Sequence, residues 1–143
     1  MNTIFFVHVL ATFLITGMMW FIQLIHYPLL SLVGKDPFHV YESAHTRLAI
    51  FTVVSLMLLE ALTGVLLLIW HPQAVSMPQI LVGLGLLAII WLSTMFLQVP
   101  QHHILAKGFD AKAHNFLVQS NWIRTSAYSL RTALLLWIII SNF

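Results

Sequence analysis

Ile4–Tyr27, IFFVHVLATFLITGMMWFIQLIHY, is the stretch on which the reading of this chain turns. It contains no Lys, Arg, Asp or Glu, and at about 1.5 Å of rise per residue it reaches across a hydrocarbon core of about 30 Å. No basic region precedes it and no small-residue cleavage site leads into a soluble protein, so it reads as a retained helix, not a signal peptide. Working outward, three further segments meet the same length rule: His45 to Trp70, Pro78 to Leu97, and Leu117 to Ile140. Pro28, Pro72, Pro78 and Pro100 stand near their ends and are read as start and stop signals. The expected architecture is all-α: a single transmembrane domain over residues 1–143, folded as an integral membrane four-helix bundle.

Composition agrees. The chain is 60% hydrophobic and 7% charged, with mean hydropathy +0.94, against roughly a quarter charged in an average soluble domain. Too few charges are present to build a water-soluble surface. Cysteine is absent, which removes disulfides, thiolate ligands and thiol catalysis; any metal here must take nitrogen or oxygen ligands. The net charge of +2 serves orientation and gives nucleic-acid binding no support. Lys35, Arg47, Lys107, Lys112 and Arg124 lie in or beside the segments 29–44 and 99–116, both read as loops, whereas 71–77 and both tails lack Lys and Arg. By the positive-inside rule the two charged loops face the cytoplasm, giving an N-out/C-out protein of the inner (cytoplasmic) membrane. Trp70 at one end, and Tyr27, Tyr41 and Trp122 at the other, suit interfacial aromatic belts.

Membrane helices turn their polar groups away from lipid. In the first segment His8, Thr12, Thr16, Met19, Gln23 and His26 recur at three-or-four spacing and form one stripe. The second offers His45, Thr52, Glu60 and Thr63, the third Trp91, Thr94, Gln98 and His102, and the fourth Asn121, Arg124, Tyr128 and Arg131. Glu60 stands ~22 Å above His45 and Arg131 ~20 Å above Leu117, so the two charges reach similar depth and pair. That pair either fixes helix register or serves a substrate or a proton. At the cytoplasmic end His26, His45 and His102 converge from three helices and, as imidazoles, suit iron, copper or zinc. Against this, no HxxxH or HExxH spacing is present, and interfacial histidines commonly cap helices or meet headgroups. His8, ~27 Å away along its helix, is either a separate axial haem ligand or a satisfied polar group. His39, His71 and His114 fall in loops or at their edges and are expected to be solvated.

Trp20, Phe21, Leu24, Pro28 and Leu30, followed by Arg47, Leu48, Met57 and Gly64, resemble the first two helices of the small four-helix membrane protoporphyrinogen oxidases. The resemblance implies a similar length and topology and haem held by a histidine early in the first helix, for which His8 is the candidate. Asn121, Trp122, Arg124 and Thr125 are similar to a segment of anthrone-oxygenase-like membrane proteins, also of four helices.

Two functions follow. The first is a membrane oxidoreductase for a lipophilic small molecule, with haem or a transition metal as redox centre. In it Asn121, Arg124 and Arg131 orient substrate oxygens and Glu60 relays protons. The second is a non-enzymatic accessory, assembly or small-solute-binding protein of the bilayer, joined to a larger membrane partner or to its own copies through Gly83 and Gly85.

Overall fold

In the computed structural model, which describes residues 2–142, the chain is helical almost throughout. Among the described residues four helices are long and apolar enough to cross a membrane: α1 (Thr3–Leu32), α2 (Lys35–Leu66), α3 (Met77–Leu105) and α4 (Ala111–Asn142). Each starts or ends farther out than hydropathy alone indicates. Asn2 caps α1, its side-chain oxygen accepting the Phe5 N–H at 2.9 Å, while its amide donates to the Trp70 carbonyl and ties the start of α1 to the connection after α2. Ser76 and Gln79 form a capping box at the start of α3. Asp110 caps α4 by accepting the Ala113 N–H at 2.8 Å.

Pro28 and Pro100 do not stop their helices. A proline inside an α-helix lacks the amide donor and collides with the carbonyl four residues earlier. Both prolines follow a π turn, Ile22–His26 in α1 and Thr94–Gln98 in α3, whose wider spacing absorbs the conflict and lets the helix continue. A third π turn, Ile50–Val54, lies in α2. The segment 29–44, expected as a loop, is therefore mostly helix, and α1 and α2 are joined only through Val33 and Gly34. His39 and His114 are helical, not looped, and His114 is buried.

α1 packs along both α2 and α4, and α4 also packs along α3. α2 and α3 touch less, which leaves a cleft between them. The core has two apolar clusters, one around Ile15, Met19, Phe38, Ile90, Leu117 and Tyr128, the other around Phe5, Val75, Ile80 and Ile138. Outward-facing positions are apolar too: Phe51 is 73% exposed and Phe96 70%. Charge is sorted in the opposite sense. Lys35, Asp36, Arg47, Lys107, Asp110 and Lys112 are exposed at one end, here termed the basic end, while Glu42, Glu60, Arg124 and Arg131 are buried.

Candidate functional site

Among the described residues the buried charged side chains, Glu42, Glu60, Arg124 and Arg131, fall in two networks. Toward the end opposite the basic one, Arg131 and Glu60 pair at 3.0 Å, with Nε of Arg131 also on the same carboxylate oxygen. Thr12 donates its hydroxyl to that oxygen at 2.7 Å. Arg131 additionally donates to the Gly83 carbonyl and, at 3.2 Å, to Nε2 of His8. The opposite ring nitrogen of His8 lies 2.9 Å from the Thr63 hydroxyl, which itself donates to the Leu59 carbonyl. His8 is thus neutral, with Nδ1 as its donor and Nε2 as its acceptor. Both nitrogens are engaged inside the protein, so in this arrangement neither is free for an axial haem bond. Gly64 makes room for the ring: a Cβ there would stand 3.2 Å from its Cε1.

The second network lies nearer the basic end and draws on every helix. Glu42 (α2) meets Nδ1 of His102 (α3) at 2.5 Å. Nε2 of His102 lies 3.1 Å from the Tyr27 hydroxyl (α1), and Arg124 (α4) donates to the same hydroxyl at 3.4 Å. Arg124 also donates to Asn121 at 2.8 Å and to Thr94 at 3.3 Å, and Asn121 donates to Gln23 at 2.8 Å. The result is a continuous line: Glu42, His102, Tyr27, Arg124, Asn121, Gln23. A carboxylate that orients a histidine, which in turn faces a hydroxyl, is the arrangement used to move protons.

This line borders a partly open cavity of about 290 Å³ lined mostly by α2 and α3. Ile22, Ile50, Val53, Val54, Met57 and Val99 give it apolar walls, while Tyr27, His45, Thr94, Gln98, His102 and Arg124 provide its polar face. Its boundary is shaped by the π turns, which contribute Ile22, Ile50, Val53, Thr94 and Gln98.

Arg124 and Arg131 are both buried, at 4% and 2% exposure. Arg131 holds a carboxylate; among the described residues none lies within ion-pair distance of Arg124. A buried guanidinium in that condition calls for an oxygen-rich partner.

His26, His45 and His102 do come together. Nε2 of His26 is 3.1 Å from Nδ1 of His45, and the rings of His45 and His102 are 5.4 Å apart. Their nitrogens face one another, Glu42 and Tyr27 instead of a common point, and among the described residues no group of three or more histidines and acidic residues is spaced to hold a metal ion. Glu60 and Arg131 belong to the other network, and Asn121 and Arg124 are members of the one beside the cavity. Thr52, expected on the inner stripe, is exposed because the π turn over Ile50–Val54 rotates it outward and brings Val53 to the cavity wall.

Glu42 escaped the sequence reading. It is wholly buried, and its signal was its place three residues before His45, one helical turn away, in a stretch read as loop. Tyr27 was assigned to an interfacial belt, yet it is 3% exposed. His114 supports it by meeting the Tyr27 carbonyl at 2.8 Å. No family model, curated protein or solved structure matches the chain.

Proposed function

We propose that the chain is an integral membrane protein whose cavity takes a lipophilic molecule from the bilayer, binds it by an oxygen-bearing head and moves a proton to or from that head. The observation that carries this reading is the coincidence of two features. The Glu42–His102–Tyr27 relay ends on a wall of the cavity, and the cavity is lined mostly by α2 and α3, whose outward faces are apolar, so that an opening between them faces hydrocarbon. A water-soluble substrate would have to cross the hydrocarbon region to use such an opening; a lipophilic one already resides there.

Each residue has a place in the scheme. Glu42 holds His102 with Nδ1–H toward it, leaving Nε2 to accept the Tyr27 proton. Arg124, kept in position by Asn121 and Thr94, has N–H groups to spare for a substrate oxygen. The apolar walls exclude water and strengthen these polar contacts. Arg131, Glu60 and His8 hold the opposite half of the bundle in register. In the bilayer the basic end faces the cytoplasm, in keeping with the positive-inside rule, so the cavity opens into the inner leaflet of the cytoplasmic membrane.

Proton transfer of this kind accompanies many conversions of lipophilic carbonyl and hydroxyl compounds, oxidoreductions included. The test uses proteoliposomes supplied with a total membrane lipid extract in D2O, followed by mass spectrometry of the extract. A lipophilic oxygen compound should gain deuterium at a carbon beside its oxygen, where it does not exchange spontaneously, or be converted, with the wild-type chain and not with Y27F or H102Q. No difference between wild type, the variants and empty liposomes would defeat the proposal. Soret absorbance and metal analysis of the same preparation test the haem- or metal-dependent form of the reaction.

A further inference from the structure

The cavity network also bears on what kind of head the ligand carries. Resting on the functional reading above, we propose that the ligand is a membrane-partitioned aliphatic monocarboxylic acid, bound as its carboxylate by Arg124 after its proton has passed through Tyr27 to His102.

Three groups of the line, His102, Tyr27 and Arg124, face the cavity, and Glu42 stands behind His102. In the empty site with His102 neutral, Glu42 and Arg124 carry opposite charges, but they are not in contact; the histidine and the tyrosine stand between them. Each is therefore without a partner of opposite charge at hydrogen-bond distance. The second oxygen of Glu42 is buried with no hydrogen-bond partner at all. Delivering one proton to His102 and one monoanion to Arg124 corrects both: Glu42 gains an imidazolium at 2.5 Å, and the guanidinium gains a carboxylate. A neutral ester or alcohol supplies neither. A dianionic head would bring a second negative charge, whereas Arg124 is the one arginine or lysine on the cavity wall among the described residues.

The proton step balances. The O–H bond of the acid breaks and its proton passes to the Tyr27 oxygen, while the phenolic proton of Tyr27 passes to Nε2 of His102. The products are a carboxylate, an intact tyrosine and an imidazolium. Tyr27 then donates to the carboxylate and His102 donates to Tyr27, so the two hydrogen bonds that carry the moving protons reverse direction, His102 continues to donate to Glu42, and none is lost. A planar guanidinium fork matches a carboxylate with two parallel N–H donors. His26 and His45, the other titratable groups beside His102, are bonded to each other and lie outside this line. The carbon chain has the apolar walls of α2 and α3 and the open cleft between them.

The full-length protein in phosphatidylcholine nanodiscs, 15N-labelled at histidine, is titrated with dodecanoic acid carrying 13C at its carboxyl carbon, and separately with methyl dodecanoate. The expected result is a bound, ionised carboxyl resonance distinct from lipid-dissolved acid, and conversion of one histidine to the imidazolium pattern. The ester should leave the histidine spectrum unchanged and bind at least about tenfold more weakly. R124Q should bring the acid down to the affinity of the ester, and Y27F should bind the acid without converting the histidine. Equal binding of acid and ester overturns the inference and leaves the cavity as a lipophilic site. Absence of binding by both overturns the inference together with the functional reading on which it rests. Should R124Q fail to fold, the acid-to-ester ratio on the wild-type chain decides the matter alone.

Discussion

Arg124 and Arg131 stand on one face of α4, seven residues apart, and have opposite relations to the fold. Arg131 balances Glu60, so its loss strands a buried carboxylate; R131M is expected to lower stability by about 3 kcal/mol or more. Arg124 has no such partner to strand, and R124Q, which keeps an amide for Asn121, is expected to cost about 1 kcal/mol. Denaturant unfolding followed by tryptophan fluorescence in one detergent separates the two, and equal losses would contradict the division between a structural pair and a binding group. Gly64 supplies a second prediction at this scale. A methyl group there meets His8 at 3.2 Å and Leu84 at 3.3 Å, and His8 is held from both sides by Thr63 and Arg131. G64A should therefore cost about 1–3 kcal/mol in the same unfolding measurement. An unchanged midpoint would mean that His8 is not fixed as described.

At the scale of the helix, the π turns decide what faces inward. An α-helix advances 100° per residue, and a π turn holds one residue more than the α-helical turn it replaces, so the inner face shifts by that amount beyond it. Thr52 is misplaced by the α-helical count for this reason, and Val53 replaces it on the inner side. The four apolar spans and the matched depths of Glu60 and Arg131 were legible in the sequence because they depend on run length and axial rise, which a π turn barely alters. Glu42 was not, because the stretch from Lys35 to Ala44 is polar enough to read as a loop although Pro37 falls in a first helical turn. The continuation past Pro28 and Pro100 was hidden too, since the accommodation lies in the preceding residues and leaves no composition signal. Inserting one alanine between Gln98 and Val99, just beyond the turn at Thr94–Gln98, should swing His102 by about 100° away from Tyr27 and Glu42. Helicity by circular dichroism should persist while dodecanoic acid binding is lost; retained binding would show that the turn does not position His102.

For the molecule as a whole, the distribution of polarity is inverted relative to a soluble bundle: apolar groups face outward along the helices and four charges lie within. The exposed charges collect at one end, which predicts a sidedness. The chain has no cysteine, so single replacements are clean reporters. Q73C, in the connection between α2 and α3, should react with an impermeant maleimide added outside intact cells, and K107C only after the membrane is opened; the reverse pattern would invert the topology. The central claim is that lipid-dissolved molecules enter the bundle between α2 and α3 and end at Arg124 and Tyr27, and photolabelling in membranes with a diazirine-bearing long-chain carboxylic acid tests it most directly. The account predicts label concentrated on cavity residues such as Val53, Met57 and Val99 and its loss from them in R124Q; label spread evenly over the lipid-facing residues of all four helices, unchanged by R124Q, would contradict it.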